Sequence, residues 1–153
     1  MTEHLLQAGL SSRSLSCVTP AIDKQPSSEG EKTCYRILVM GAAKVGKTAI
    51  IDQFINKGLS HKYKPTVQEM YQREFLIGDG RVLLEMEDTS GFFAYDFPAM
   101  LDVSLSSADV VLLVFSVTDP ESFDMAANLR DMVMQGKGPD TPMVIVGNKT
   151  DLH

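Results

Sequence analysis

Apolar residues fall in short runs from residue 35 onward, and the period of each run predicts its element. Tyr35 to Met40 is short, apolar and strand-like, whereas Thr48 to Asn56 carries apolar residues at helical spacing. Met70 to Ile77 and Arg81 to Glu87 predict two strands joined at Gly78-Asp79-Gly80, with Asp79-Gly80 as the hairpin signal. Asp109 to Ser116 shows no polar alternation, which predicts a central parallel strand covered on both faces. Met125 and Met132 sit at helical spacing and suit core packing, and Met143 to Gly147 is a further apolar run. The order is strand, loop, helix, loop, two strands, helix, strand, helix, strand. That alternation predicts an α/β fold: a doubly wound, mostly parallel sheet with one antiparallel edge strand and ligand motifs at the strand C-terminal ends.

The pattern does not extend to residues 1–32, which are rich in serine (Ser11, Ser12, Ser14, Ser16, Ser27, Ser28) and contain Pro20 and Pro26. This stretch reads as a disordered tail, either open to phosphorylation or a plain spacer, preceding a domain at 33–153. With 153 residues, 44% of them apolar, one domain with a sizeable core is expected. A net charge of −6 and a pI near 5.0 argue against nucleic acid or an anionic membrane as a non-specific partner. Cys17 and Cys34 have neither metal-ligand spacing nor a disulfide framework, which points to a reducing, cytoplasmic compartment.

Chemistry concentrates in three short motifs. Gly41-Ala42-Ala43-Lys44-Val45-Gly46-Lys47-Thr48 fits the phosphate-loop pattern G-x-x-x-x-G-K-[ST] between a predicted strand and a predicted helix. Backbone N–H groups from Gly41 to Thr48 would converge on a polyphosphate, Lys47 would place a charge near its β- and γ-phosphates, and the Thr48 hydroxyl would ligate Mg²⁺. Asp88-Thr89-Ser90-Gly91 ends the strand run from Arg81, so Asp88 would reach the Mg²⁺ from beyond its direct ligands and the Gly91 N–H would meet a γ-phosphate. Asn148-Lys149-Thr150-Asp151 follows the last apolar run. A carboxylate only accepts hydrogen bonds, so Asp151 suits the N1–H and N2–H₂ donors of guanine, whereas adenine presents an acceptor at N1. The third motif therefore selects GTP and GDP over ATP.

In this order and at these strand ends, the motifs resemble those of the Ras-like small GTPases over about Thr33 to Leu152. The resemblance extends to Tyr63-Lys64-Pro65-Thr66, where Thr66 falls on the switch threonine that ligates Mg²⁺ and touches the γ-phosphate. Asp88-Thr89-Ser90-Gly91 followed by Phe97-Pro98-Ala99-Met100 looks most like the dexamethasone-induced Ras-like subgroup. What the resemblance implies is a guanine-nucleotide-binding signalling switch. Thr66, Gly91 and Lys47 would serve catalysis, Thr48, Thr66 and Asp88 the metal, and Asn148, Lys149 and Asp151 the base. Protein effectors and exchange or activating factors would act through the switch regions. In the family a further strand, a loop over the guanine and a long C-terminal helix follow the base motif, so the chain is expected to be incomplete. One face of the strands Tyr35 to Met40 and Met143 to Gly147 is then expected to lack cover. A lipid anchor cannot be judged without that C-terminus; for a full-length form the resemblance admits the inner face of the plasma membrane.

Departures from the family pattern bear on turnover. Phe92 stands where Ras-like proteins carry the glutamine that orients the attacking water, and a phenyl ring offers no such hydrogen bond. Weak or partner-dependent GTP hydrolysis follows, unless Tyr95 or Asp96 has taken over that task. Ala43 and Lys44 occupy positions where efficient hydrolases carry glycine. His61, Lys62 and Lys64 form a basic cluster that is either a surface for an acidic effector or a solvated loop. Alternatives to the switch are a binding module held in the GTP state without hydrolysis, and a fragment without function.

Overall fold

The computed structural model describes residues 33–56 and 68–152, all inside one compact unit, Glu31–His153. The serine-rich tail, the basic cluster around Tyr63, and Thr66 lie outside the described residues. Five strands form one sheet: β1 (Cys34–Gly41), β2 (Gln68–Ile77), β3 (Gly80–Thr89), β4 (Val110–Ser116) and β5 (Met143–Asn148). Their spatial order is β2-β3-β1-β4-β5, with β2 antiparallel to β3 and every other pair parallel. This is the expected doubly wound sheet with one antiparallel edge strand. Among the described residues four helices accompany it: α1 (Lys47–Asn56), α2 (Phe93–Asp96), α3 (Pro98–Ser107) and α4 (Pro120–Lys137).

The period of two along the central strands sorts their side chains between two apolar layers. Leu38 and Met40 of β1 pack with Val111 and Leu113 of β4 against Leu101 and Leu105 of α3 and Leu129 and Val133 of α4. Val39 and Val114 point the other way, onto Ile51 of α1 with Val45 and Met86. Each such side chain, fully buried, contributes roughly 1.5–3 kcal/mol, which is why the unbroken apolar run of β4 belongs at the centre. Met125 and Met132 pack against the core, as their spacing predicts.

Local signals place the helix ends. Asp119 caps α4 by accepting from the Ser122 N–H at 3.3 Å, and Pro120 sits in its first turn. Lys137, in the last turn of α4, donates to the Leu105 carbonyl near the end of α3 at 2.7 Å. The C-terminus of α1 has no basic residue of its own; Arg73 of β2 supplies it, donating to the Phe54 and Ile55 carbonyls.

Three expectations need correction. The hairpin turns on Gly78-Asp79, because Gly80 already pairs with Ile77; Gly78 takes the positive φ of 60° that a two-residue turn needs at its first central position. β1 is not left uncovered: Leu38, Val39 and Met40 are buried, because β1 lies between β3 and β4 with helices on both faces. On the edge strand β5, by contrast, Val144 and Ile145 are 50% and 52% exposed. Finally, Cys34 is disulfide-bonded rather than a free thiol.

Candidate functional site

The parallel strands deliver three loops to one end of the sheet. Gly41 closes β1, Thr89 closes β3 and Asn148 closes β5, so the loops that follow meet at the C-terminal edge, where ligands of open α/β sheets bind. The first loop runs from Gly41 into α1 and presents successive backbone N–H groups at the helix start.

Lys47, the first residue of α1, is only 6% exposed. Its Nζ folds back on the loop, donating to the Gly41 carbonyl at 2.9 Å and the Ala42 carbonyl at 2.7 Å. Burial lowers its pKa from 10.5 to about 8, against the opposing pull of the nearby Asp88 carboxylate. An ammonium held by two carbonyls in a desolvated cradle is short of anionic compensation, and a phosphate would supply it.

Asp88 lies on the α1 side of the sheet and is fully buried. Its Oδ2 accepts from the Thr48 hydroxyl at 2.5 Å. With its hydrogen directed to Asp88, the Thr48 hydroxyl would offer a cation its oxygen. No group of three or more His, Cys, Asp or Glu capable of holding a metal exists among the described residues. A Mg²⁺ here would therefore depend on hydroxyl, phosphate and water oxygens, which suits its reluctance to lose water. The donor set fits the ion: Thr48 could ligate it directly, with Asp88 behind.

Close approaches hold the loops together. A methyl group on Gly91 would meet the Ala43 backbone nitrogen at 2.3 Å and its Cα at 2.5 Å, so the loop after β3 rests directly on the phosphate loop. Thr89 pins the same loop from below through its hydroxyl, which donates to the Val39 carbonyl at 2.7 Å. On the other side, Asn148 Nδ2 donates to the Val45 carbonyl at 2.8 Å. Gly46 has φ +101°, and a Cβ there would lie 2.3 Å from that same Nδ2.

The remaining predicted residues distribute unevenly. Lys44 lies exposed on the outer side of the loop with φ 62°. Lys149 adopts φ 64°, and the Leu152 N–H closes back on its carbonyl at 3.2 Å, leaving Asp151 on an exposed turn. Beside Asn148 a groove of about 420 Å³ is lined by Ala49, Ile50, Gln53 and Phe54. Phe92 is 55% exposed, whereas its neighbour Phe93 is buried in the core. Tyr95 and Asp96 also face solvent, in the single turn of α2.

Sequence reasoning missed two features. The Asn148 bond to the phosphate loop is invisible to spacing, since the partner is a main-chain carbonyl. Two carboxylates of β3, Glu85 and Glu87, are buried, Glu85 against Arg36 and Gln72 and Glu87 against Gln68 and Ser104; their alternation with Leu84 and Met86 by itself reads as a solvated face.

The Ras family model matches residues 36–153. The GTP-binding protein Rhes of Homo sapiens is 36% identical over 129 residues, covering 78% of this chain and 48% of Rhes. Ras-like protein RAS2 of Hydra vulgaris is 37% identical over 120 residues, covering 78% of this chain and 62% of its own. GTP-binding protein drn-1 of Caenorhabditis elegans is 31% identical over 151 residues, covering 96% of this chain and 68% of its own. The chain thus spans about half the length of Rhes, at 48%. Since the match runs through all three strand-end loops and the sheet that carries them, the chain belongs to the Ras family.

Proposed function

We propose that this chain binds GTP and GDP with Mg²⁺ and serves as a signalling switch whose own GTP hydrolysis is slow or depends on a partner. The observation that carries this reading is the Thr48–Asp88 hydrogen bond of 2.5 Å. It joins the phosphate loop to the end of β3 at the place where a cation would bridge the nucleotide to the protein. Gly41, Lys44, Val45, Gly46, Lys47 and Thr48 take the phosphates, Gly91 the γ-phosphate, and Asn148, Lys149 and Asp151 the base. Thr66 completes the metal and γ-phosphate contacts. Mg²⁺, when bound, neutralises phosphate charge as it develops on transfer.

The half-exposed Phe92 favours a second reading, a binding module that stays in the GTP state. Either way, effectors and exchange factors would approach the switch segments, where Phe92, Tyr95 and Phe97 are exposed. A cytoplasmic site suits a user of the GTP pool.

Nucleotide content of the purified chain tests the reading directly. Bound GDP supports the switch, bound GTP the hydrolysis-free module, and absence of nucleotide with no uptake on adding it overturns both. Asp151→Asn is expected to move preference from guanine toward xanthine, whose 2-oxo group can accept from the new amide. Unchanged preference would remove Asp151 from the base site.

A further inference from the structure

Among the ionisable groups outside the nucleotide site, Glu87 is the one whose burial is hardest to account for by stability. Together with Ser104 it is almost completely buried. Its Oε1 accepts from Gln68 Nε2 at 2.5 Å and from Ser104 Oγ at 2.5 Å. One oxygen thereby joins the first residue of β2, the end of β3 and the middle of α3. Its neighbour Glu85 differs: Arg36 donates to it from Nε at 3.0 Å and from Nη2 at 2.7 Å, so an ion pair accounts for that carboxylate. The hydrogen bonds Glu87 makes among the described residues come from a neutral amide and a neutral hydroxyl. A buried carboxylate so placed adds little net stability over an apolar side chain of similar volume, while fixing the geometry of everything that donates to it.

What it fixes is the strand end beside the nucleotide site. Glu87 faces the same side as Leu38, its register partner on β1, and α3 packs on that side. Asp88, the next residue, points through the sheet to the α1 side, where it receives Thr48. Pinning Glu87 between β2 and α3 therefore sets the rotation of the strand that aims Asp88. We infer that Glu87 is a positioning residue for the Mg²⁺ side of the site, acting through Asp88. This rests on the nucleotide reading above.

The test is the Mg²⁺ dependence of GDP retention by the 153-residue chain, native and with Glu87→Leu, Glu87→Gln, Gln68→Ala or Ser104→Ala, alongside urea unfolding of each. In Glu87→Leu the Mg²⁺ concentration for half-maximal retention is expected to rise about tenfold or more, as when a partner behind a metal ligand is lost. Glu87→Gln keeps a carbonyl acceptor and is expected to stay within about threefold of native, a rescue that loss of packing alone would not predict. A native Mg²⁺ midpoint in folded Glu87→Leu overturns the inference. If that variant does not fold, Gln68→Ala and Ser104→Ala carry the comparison; both should shift the midpoint upward, and native values in both overturn it. If the native chain takes up no nucleotide, the nucleotide reading fails and urea unfolding decides the clamp by itself. In the double variant Gln68→Ala with Ser104→Ala the unfolding constants of the two single variants should then combine non-additively by more than about twofold, whereas additive effects overturn the clamp.

Discussion

Asn148 and Val45 stand 103 positions apart in the chain, yet the Asn148 amide donates to the Val45 carbonyl at 2.8 Å. The bond makes the base-side loop and the phosphate loop one unit, so a change at either end should be felt at both. Asn148→Ala leaves the Val45 carbonyl without this donor, a loss of roughly 1–3 kcal/mol. Nucleotide dissociation is expected to accelerate by about tenfold or more. Gly46→Ala should reproduce the effect, because its new methyl would fall 2.3 Å from Asn148 Nδ2 and displace it. Stopped-flow release of a fluorescent GDP analogue measures both, and wild-type rates in either variant would show that the contact does not hold the loop.

A methyl on Gly91 collides with the Ala43 backbone at 2.3 and 2.5 Å, closer than the Ala43 Cβ at 2.7 Å. Gly91→Ala is therefore expected to lift the loop after β3 off the phosphate loop. It should weaken a non-hydrolysable GTP analogue more than GDP, because the Gly91 N–H is assigned to the γ-phosphate. Adding Ala43→Gly should not rescue it, since the nearest clashes are with main-chain atoms. Equal weakening of both nucleotides, by calorimetry, would contradict that assignment.

Lys47 ties affinity to pH. Its pKa in the nucleotide-free protein is about 8, lowered chiefly by burial, and bound phosphate would raise it. The Lys47 contribution to binding is then complete below pH 8 and is lost as pH rises through the higher, bound-state value. GDP affinity should fall by up to about tenfold per pH unit between pH 8 and that bound-state value, and level off above it. The free protein should show the opposite trend: its unfolded state binds the extra proton between pH 8 and 10.5, so its stability rises across that window. Lys47→Met should flatten both slopes, and a parallel pH profile in that variant would assign them to another group.

Turnover should separate from binding at Phe92. The residue is 55% exposed, and its ring offers no hydrogen bond to a water. Single-turnover GTP hydrolysis is expected to rise at least about tenfold in Phe92→Gln, near 1.4 kcal/mol of barrier, with affinity little changed. Loss of native hydrolysis in Tyr95→Phe or Asp96→Asn would instead show which of these residues orients the water.

Much of the molecule was legible in the chain because it follows from local rules. The short apolar run of β1, the unbroken apolar run of β4 and the helical spacing of Met125 and Met132 in α4 each need only neighbouring residues for their effect. The three motifs were legible for the same reason: a loop that presents backbone N–H groups must be built from a few residues at fixed spacing. Reading the hairpin signal at Asp79-Gly80, one residue past the turn at Gly78-Asp79, came from a choice between two glycines that strand register decides.

What only the tertiary structure decided lies wherever one partner is a main-chain atom or a residue from a distant element. Sequence spacing cannot tell that Asn148 meets a carbonyl of the phosphate loop, that Arg73 caps α1 from β2, or that Gly91 has no room for a side chain against Ala43. Nor can composition separate Glu87 from a solvated surface carboxylate. Charge and periodicity are properties of one strand, but burial is a property of what packs across it, and the donors that make burial of a carboxylate tolerable come from β2 and α3.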